Sequence, residues 1–238
     1  MPVRRANVSR TARVTPSYLL PKSAGLRFAP RLVIMVKEPA AGRVKTRLAR
    51  GIGAVTATMA YRAMLSSLAA RLGRDRRWQT TIAVSPDCAF ASRMLPQIKS
   101  RVPQGTGNLG DRLQRVFDVM PPGPVVVIGT DIPSITPADI AAAFRCLGSH
   151  HAVFGPSQDG GYWLIGLKRR PNVPRPFDRV RWSSQHALSD TGENLSRFKS
   201  GFKIAYLRHL DDVDTVDDLA GQRPFIGRRI LPTPVNCR

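Results

Sequence analysis

Short apolar runs alternate with amphipathic stretches along most of this chain. The apolar or β-branched runs predict strands at 31–36, 78–85, 97–102, 124–129, 151–155, 162–167 and 201–207. Helical spacing and helix-start signals predict helices at 54–72, 107–120 and 137–147, one from 183 or 184, and one from 214 or 215 to about 221. This alternation predicts one α/β domain, at about 30–220, with a mainly parallel sheet covered on both faces.

Charge is distributed unevenly over the 238 residues, whose formal net charge is +21. Residues 1–37 carry eight basic side chains and no acid. We interpret 1–30 as a disordered basic leader, an organelle-targeting peptide or the product of a start codon placed too far upstream. Residues 221–238 are interpreted as a basic tail. Such tails could bind polyanions, but no motif for specific nucleic-acid recognition is present.

Cysteine usage and hydropathy exclude other classes. No apolar stretch is long enough to span a bilayer, so no membrane span is expected. The three cysteines are far apart and form no Cys-x-x-Cys pair, which argues against a disulfide scaffold or a zinc site. We therefore expect a reducing compartment, the cytoplasm.

A basic loop follows the first predicted strand. It contains Gly42 and offers Arg43, Lys45 and Arg47 before the next helix. Guanidinium and ammonium groups that alternate along an extended loop suit phosphate oxygens, although a Walker A spacing is absent. The alternative is a solvated basic turn.

Asp131 ends the motif Gly-Thr-Asp, which begins at the last residue of the strand predicted at 124–129. An acid at the carboxyl end of a central strand is well placed to hold a metal ion or to polarise a substrate. The alternative is a turn or helix cap. Since one carboxylate rarely holds Mg²⁺ alone, Asp212 or Asp214 is expected to join it, while Thr215 and Asp218 resemble a capping box.

Three further segments are candidates for substrate contacts. Asp159, in a Gly-rich turn, could orient an acceptor hydroxyl, act as a base or complete a metal site, and a plain hairpin turn is the alternative. The loop through Asn108 and Gly110 could wrap a base or ribose, although it lacks the dinucleotide-binding fingerprint. Trp182 is interpreted as core or as the wall of an acceptor pocket.

Five segments, taken in order, resemble a known family. They are LVIMVKEPAAGRVKTRL, GNLGDRL, VVVIGTDIPSIT, VFGPSQDGGYWLIGL and DDVDTVDDL, and they span about 31–220. Together they are similar to a bacterial family of transferases with the glycosyltransferase-A-like fold of the nucleotide-diphospho-sugar transferases, some of them associated with radical-SAM proteins.

The resemblance implies a three-layer α/β/α fold that binds a nucleotide, with Mg²⁺ or Mn²⁺, at the strand ends. It places Lys45 and Arg47 near the phosphates, Asp131 on the metal and Asp214 as a second acid. It also implies that Asp159, with Gly160 and Gly161, faces the acceptor.

The leading hypothesis is therefore a metal-dependent transferase that moves a sugar from a nucleotide sugar to an acceptor. One departure favours an alternative: metal-dependent glycosyltransferases of this fold carry Asp-x-Asp, whereas this chain has only Asp131. The single acid also resembles nucleotidyltransferases, such as 2-phospholactate guanylyltransferases, which use a nucleoside triphosphate and release pyrophosphate. A third hypothesis is a non-catalytic protein that binds polyanions through its basic tails.

Overall fold

The computed structural model describes residues 28–169, 174–198 and 201–221. Almost all of the leader and tail predicted at 1–30 and 221–238 lies outside these ranges. The strands are β1 (Arg31–Lys37), β2 (Gln79–Ser85), β3 (Arg101–Pro103), β4 (Gly123–Ile128), β5 (Ala152–Pro156), β6 (Tyr162–Arg169) and β7 (Ile204–Tyr206). The helices are α1 (Thr46–Ile52), α2 (Ala54–Gly73), α3 (Leu109–Val119), α4 (Pro137–Ser149), α5 (Ala187–Phe198) and α6 (Val216–Gly221).

The strands form one sheet in the order β3-β2-β1-β4-β6-β5-β7. Strand β6 runs antiparallel to β4 and to β5, whereas the other neighbours pair in parallel. The predicted, mainly parallel sheet is confirmed. Its one antiparallel strand within the described residues follows from the short connection at 157–161, because only antiparallel strands can be joined by so few residues.

Alternate side chains of the central strands enter two cores, one on each face of the sheet. In β1, Leu32 and Ile34 pack into the core shared with α1, α2, α4 and α6, and Val33 packs into the core shared with α3 and α5. Strands buried on both faces carry continuous apolar runs, which is why the sequence pattern identified them. The structure thus confirms three layers, α/β/α.

Several boundaries differ from the prediction. Helix α1 lies inside the region predicted as a loop. The sequence did not predict it because Leu48 is its only fully buried residue, and one residue gives no periodic signal. Strand β3 begins at Arg101, after a turn in which the Ile98 amide donates to the Pro96 carbonyl. Helix α5 begins at Ala187, after turns that include Ser183 at a φ of 57°.

The carboxyl ends of β1, β2, β3 and β4 meet at one edge of the sheet, where the loops with the candidate residues begin. The segment after β7 returns to this edge, where the Val213 amide donates to the Asp131 carbonyl at 2.9 Å. None of the helices described is long and apolar enough to cross a membrane.

Candidate active site

A cleft of about 680 Å³ opens at this edge of the sheet. Its walls combine the loop after β1, the end of β4, the β5–β6 turn and the segments before α5 and α6. Among the residues that line it are Lys45, Asp131, Trp182 and Asp214. Open sheets of this kind bind ligands in such a crevice.

Lys45 ends the basic loop and immediately precedes α1. Its backbone is left-handed, with φ 48° and ψ 47°, a conformation that costs a non-glycine residue about 1 kcal/mol or more. Its side chain is only 5% exposed, although it carries a charge. A strained backbone and a buried ammonium at the same residue make Lys45 a candidate functional residue, because strained residues cluster at functional sites.

The Lys45 ammonium contacts two carboxylates that lie far apart in the sequence. Its Nζ is 2.8 Å from Oδ1 of Asp131 and 3.2 Å from Oδ1 of Asp214. Arg47 approaches the same acid from outside, with Nη1 3.2 Å from Oδ2 of Asp214. We call these four residues the Lys45 cluster. The structure thus brings together the basic and acidic residues that the sequence singled out.

Asp131 is positioned by the residue before it. Thr130 is buried and its hydroxyl lies 3.2 Å from the hydroxyl of Tyr61, which also contacts the main chain of Lys37. Burial raises the pKa of Tyr61 to about 12, so the phenol stays protonated and serves as a clamp. Because Thr130 faces the core, the Asp131 side chain projects into the cleft, where it is 51% exposed.

Asp214 is positioned by the start of α6. The Asp218 carboxylate accepts from the amides of Asp214 and Thr215, and the Thr215 hydroxyl accepts from the amide of Asp218. This reciprocal pair is the predicted capping box, and it leaves the Asp214 side chain for Lys45 and Arg47. The neighbouring Asp212 also lines the cleft. Burial, and then the charge of Asp214, raise the pKa of the Asp212 carboxyl.

The other members of the basic loop lie at the surface. Arg43 is exposed and lines the cleft, and the Arg47 side chain is 77% exposed. Gly42 adopts a φ of 74° that bends the loop, and it does not itself line the cleft. The loop therefore offers two exposed guanidinium groups at the cleft and one buried ammonium inside it.

The β5–β6 connection is the hairpin turn that the sequence left as an alternative. Asp159 lines the cleft, but its Oδ1 accepts from the Ser157 hydroxyl at 2.6 Å and from the Gly161 amide at 2.9 Å. Gly161 lines the cleft as well. Gly160 has a φ of 78° and packs against the main chain of Gln185 instead. Asp159 therefore has a structural function in the turn, and its predicted role in chemistry stays a prediction.

The Gly-rich loop before α3 is used for capping. The Asn108 side chain accepts from the amide of Asp111, and the Asp111 carboxylate accepts from the amide of Asn108. Gly110 packs beneath the Phe177 carbonyl and the Trp182 indole. Neither Asn108 nor Gly110 is part of the cleft wall, so their predicted contacts with a nucleotide stay predictions.

Trp182 forms part of an aromatic wall of the cleft. Its ring centroid lies 6.3 Å from those of Tyr162 and Phe177. The indole Nε1 is buried and has no hydrogen-bond partner in the described part of the chain. Such a wall suits a ring-shaped or apolar group of a substrate.

Sequence analysis did not identify Tyr61 as part of the site. It belongs to the buried, apolar side of α2, and nothing nearby in the sequence distinguishes it from a core residue. Its contacts with Thr130 and Lys37 join two strands that are far apart along the chain. A tyrosine in a stripe otherwise made of aliphatic residues is the only sequence signal that indicates it.

Comparison with known proteins supports a transferase. A family model described as an uncharacterized protein conserved in bacteria (DUF2064) matches residues 68–184. The crystal structure of a candidate nucleotide-diphospho-sugar transferase from Desulfovibrio desulfuricans G20 is similar to this chain. It is 30% identical, the alignment covers 81% of this chain and 85% of that one, and the TM-score is 0.71. No curated protein matches the sequence.

More distant structures share the fold. One is 4-diphosphocytidyl-2C-methyl-D-erythritol synthase from Anaerococcus prevotii DSM 20548, at 11% identity, with 84% of this chain and 99% of that chain covered and a TM-score of 0.53. Another is CMP:2-keto-3-deoxy-manno-octonic acid synthetase complexed with CTP, at 12% identity, with 82% and 97% covered and a TM-score of 0.51. At these identities the likeness concerns the fold alone.

The fold and the cleft define a nucleotide-dependent transferase of the α/β class. The chain belongs to the nucleotide-diphospho-sugar transferase family, as the five ordered motifs predicted. This membership disfavours the hypothesis of a non-catalytic polyanion-binding protein, whose basic tails lie almost wholly outside the described residues.

Proposed function

We propose that the protein transfers a sugar from a nucleotide sugar to an acceptor, with a divalent metal ion bound beside the diphosphate. The Lys45 cluster is the observation that carries this proposal. It joins a buried ammonium, two carboxylates and an exposed guanidinium at the point where β1 and β4 end. Positive groups and metal-ligating acids are needed together where a diphosphate leaves.

The residues present fit a metal ion that is shared with the nucleotide. No group of three or more His, Cys, Asp or Glu among the described residues could hold an ion by itself. However, Mg²⁺ is usually bound by one or two carboxylates together with substrate phosphates and water. Asp131 and Asp214 supply two carboxylates that already converge on one cation, Lys45.

When bound, the metal ion would neutralise the charge that develops on the diphosphate leaving group. The chain's own residues contribute further. Arg43 and Arg47 are exposed at the mouth of the cleft and would attract and grip the phosphates. Lys45 would add a positive charge beside the phosphates. The aromatic wall at Tyr162 and Trp182 would bind the acceptor.

Calorimetry with nucleotides, in the presence and absence of Mg²⁺, tests the nucleotide and metal parts of this proposal. We expect nucleoside diphosphates to bind more tightly with Mg²⁺, because Asp131 and Asp214 would hold the ion beside the phosphates. Incubation with a panel of nucleotide sugars and acceptors should then release free nucleoside diphosphate. Nucleotide affinity that does not respond to Mg²⁺ would contradict the metal-dependent mechanism.

Nucleotidyl transfer at the same site is the second candidate, and Gly129 favours it. Gly129 stands where an Asp-x-Asp motif would have its first acid, and the space around the position of its missing side chain is open. The strand end therefore supplies one carboxylate rather than two. In this reaction an acceptor oxygen attacks a nucleoside triphosphate, and the products are a nucleotide–acceptor conjugate and pyrophosphate.

The products distinguish the two reactions. Incubation with nucleoside triphosphates and phosphorylated acceptors, coupled to a pyrophosphatase assay, reports nucleotidyl transfer. Release of nucleoside diphosphate from a nucleotide sugar reports glycosyl transfer. Pyrophosphate without any nucleoside diphosphate would replace the first candidate with the second.

A further inference from the structure

We propose that the Lys45 ammonium and the divalent ion are alternative occupants of the space between Asp131 and Asp214. In the free enzyme Lys45 fills this space, and metal binding displaces its side chain toward the phosphates. This inference rests on the proposed function and adds to it the order of events and a role for Lys45 before substrate binds.

The geometry of the Lys45 cluster carries the inference. One nitrogen, Nζ of Lys45, lies 2.8 Å from an oxygen of Asp131 and 3.2 Å from an oxygen of Asp214, so the two oxygens are within about 6 Å of each other. Magnesium sits about 2.1 Å from each oxygen ligand, so the same two oxygens would bind one ion once they lie within about 4.2 Å of each other.

Both cations cannot occupy this space together. An ion between the two carboxylates would stand where Nζ is now, and two positive charges a few ångströms apart repel each other. The Lys45 side chain is 5% exposed, so it has little room to avoid the ion while keeping both contacts. Metal binding therefore requires that the ammonium leave.

The displaced Lys45 ammonium would move toward the bound phosphates. Its flexible four-carbon stem allows the ammonium to move while the backbone stays fixed ahead of α1. The guanidinium groups of Arg43 and Arg47 mark the same side of the cleft as phosphate-attracting. A diphosphate bound there would accept the displaced ammonium. The Lys45 ammonium thus reduces the repulsion between the two carboxylates before the metal binds, and it neutralises phosphate charge afterwards.

Mn²⁺ titration without nucleotide, followed by electron paramagnetic resonance, tests the competition directly. Lys45→Met removes the competing ammonium, so we expect the Mn²⁺ affinity to rise about 10- to 100-fold, the range expected for a lost charged hydrogen bond. Arg47→Gln is the matched control, since it removes the same charge from the same Asp214 at a position 77% exposed. Its effect should stay below about fivefold. Unchanged or weakened Mn²⁺ binding in Lys45→Met would overturn the inference.

Adding ADP, GDP, CDP or UDP separates this inference from the proposed function. If wild-type protein binds Mn²⁺ with one of these nucleotides, while Lys45→Met without nucleotide gains nothing, the competition is wrong and the metal–nucleotide site stands. If no protein binds Mn²⁺ under either condition, both are wrong. A gain in Lys45→Met without nucleotide that the nucleotide increases further supports both.

A measurement on the wild-type protein does not depend on the folding of any variant. Brief acetylation, read by mass spectrometry, should modify Lys45 slowly in the free enzyme because its side chain is buried. Saturating Mn²⁺ alone should raise the rate at Lys45 several-fold and leave the exposed Lys99 and Lys203 unchanged. A rate at Lys45 that stays level or falls would contradict displacement.

Discussion

Acids in two regions of this protein behave differently. Asp111, Asp139 and Asp218 each lie in the first turn of a helix and accept from backbone amides three or four residues away. Asp131 and Asp214 instead bond to Lys45, which is 169 residues from Asp214 in the sequence. Local acids complete helix ends, and distant acids that converge on one cation form the site.

The two regions differ in how much of each carboxylate remains available. The Asp139 side chain is 11% exposed and is bonded by Arg208 and Thr136, so nothing more can reach it. The Asp131 side chain is 51% exposed and has a single ion pair. An acid with free oxygens beside a buried cation is therefore a better candidate for chemistry than an acid inside a cap.

The largest effect is expected at Asp131. Asp131→Asn keeps the shape of the side chain and removes its charge, so turnover should fall by roughly a hundred- to a thousandfold or more. The free energy of unfolding should change by less than about 1 kcal/mol, because the side chain is half exposed. Steady-state kinetics and thermal unfolding of the purified variant measure both. Turnover near that of the wild type would remove Asp131 from the mechanism.

Gly160 tests a position whose role is structural. In Gly160→Ala the new methyl group would overlap the main chain of Gln185, and φ is 78°. Gly42→Ala is the matched control, since its φ is 74° and no atom lies within 4 Å of the new methyl. We expect Gly42→Ala to lower the free energy of unfolding by about 1 kcal/mol and Gly160→Ala by about 2–4 kcal/mol.

Chemical denaturation of both glycine variants checks this difference. Because Gly160 supports the segment that carries Trp182, its replacement should also raise the KM for the acceptor more than the KM for the nucleotide. Equal losses of stability in the two variants would show that backbone strain, and not packing against Gln185, determines the cost.

Asp139→Ala should show the reverse of Asp131→Asn. Loss of the cap and of the Arg208 contacts should lower the free energy of unfolding by about 1–3 kcal/mol, while turnover per folded molecule stays the same. Although burial opposes the shift, hydrogen bonds from Arg208 and Thr136 hold the pKa of the Asp139 carboxyl below its usual range.

The sign of this pKa shift gives a test by pH. A lowered pKa means that the stabilisation is present above the unfolded-state pKa of about 3.9 and is lost as the pH falls through the folded-state value. Denaturation curves of wild type and Asp139→Ala should therefore differ at pH 7 and converge in acid. A difference that is independent of pH would assign the loss to packing alone.

The smallest effect is expected at Arg47. Its guanidinium is 77% exposed and pairs with Asp214. Arg47→Gln should therefore reduce turnover by no more than about fivefold, and the loss should shrink as salt is added. Kinetics at low and high ionic strength measure it. A hundredfold loss would place Arg47 beside Lys45 in importance.

The sequence predicted most of the fold because two-sided burial leaves continuous apolar strands. It also indicated Lys45, through the basic loop after the first predicted strand, and Asp131 and Asp214, which stand at predicted element ends. What it could not show is that the Lys45 ammonium lies between the two acids. That arrangement depends on a left-handed residue and on one long-range contact, the Val213 amide on Asp131.

The polar residues of the turns were harder to interpret for a physical reason. Asn108 and Asp159 are residue types that both cap backbone and contact ligands, and only hydrogen-bond partners distinguish these uses. The structure shows the backbone partners of each. Tyr61 presented the opposite difficulty, because its ring belongs to the core and only its hydroxyl reaches the site.

The hydrogen bond from Val213 to Asp131 has a consequence for how the protein is made. All seven strands precede Leu210 in the chain, whereas Asp214 comes after it. A nascent polypeptide that ends at Leu210 can therefore complete its sheet and still lack half of the carboxylate pair. We expect a ribosome-bound chain whose emerged part ends at Leu210 to form its sheet and to be inert, so that catalysis begins only after Asp214 has emerged.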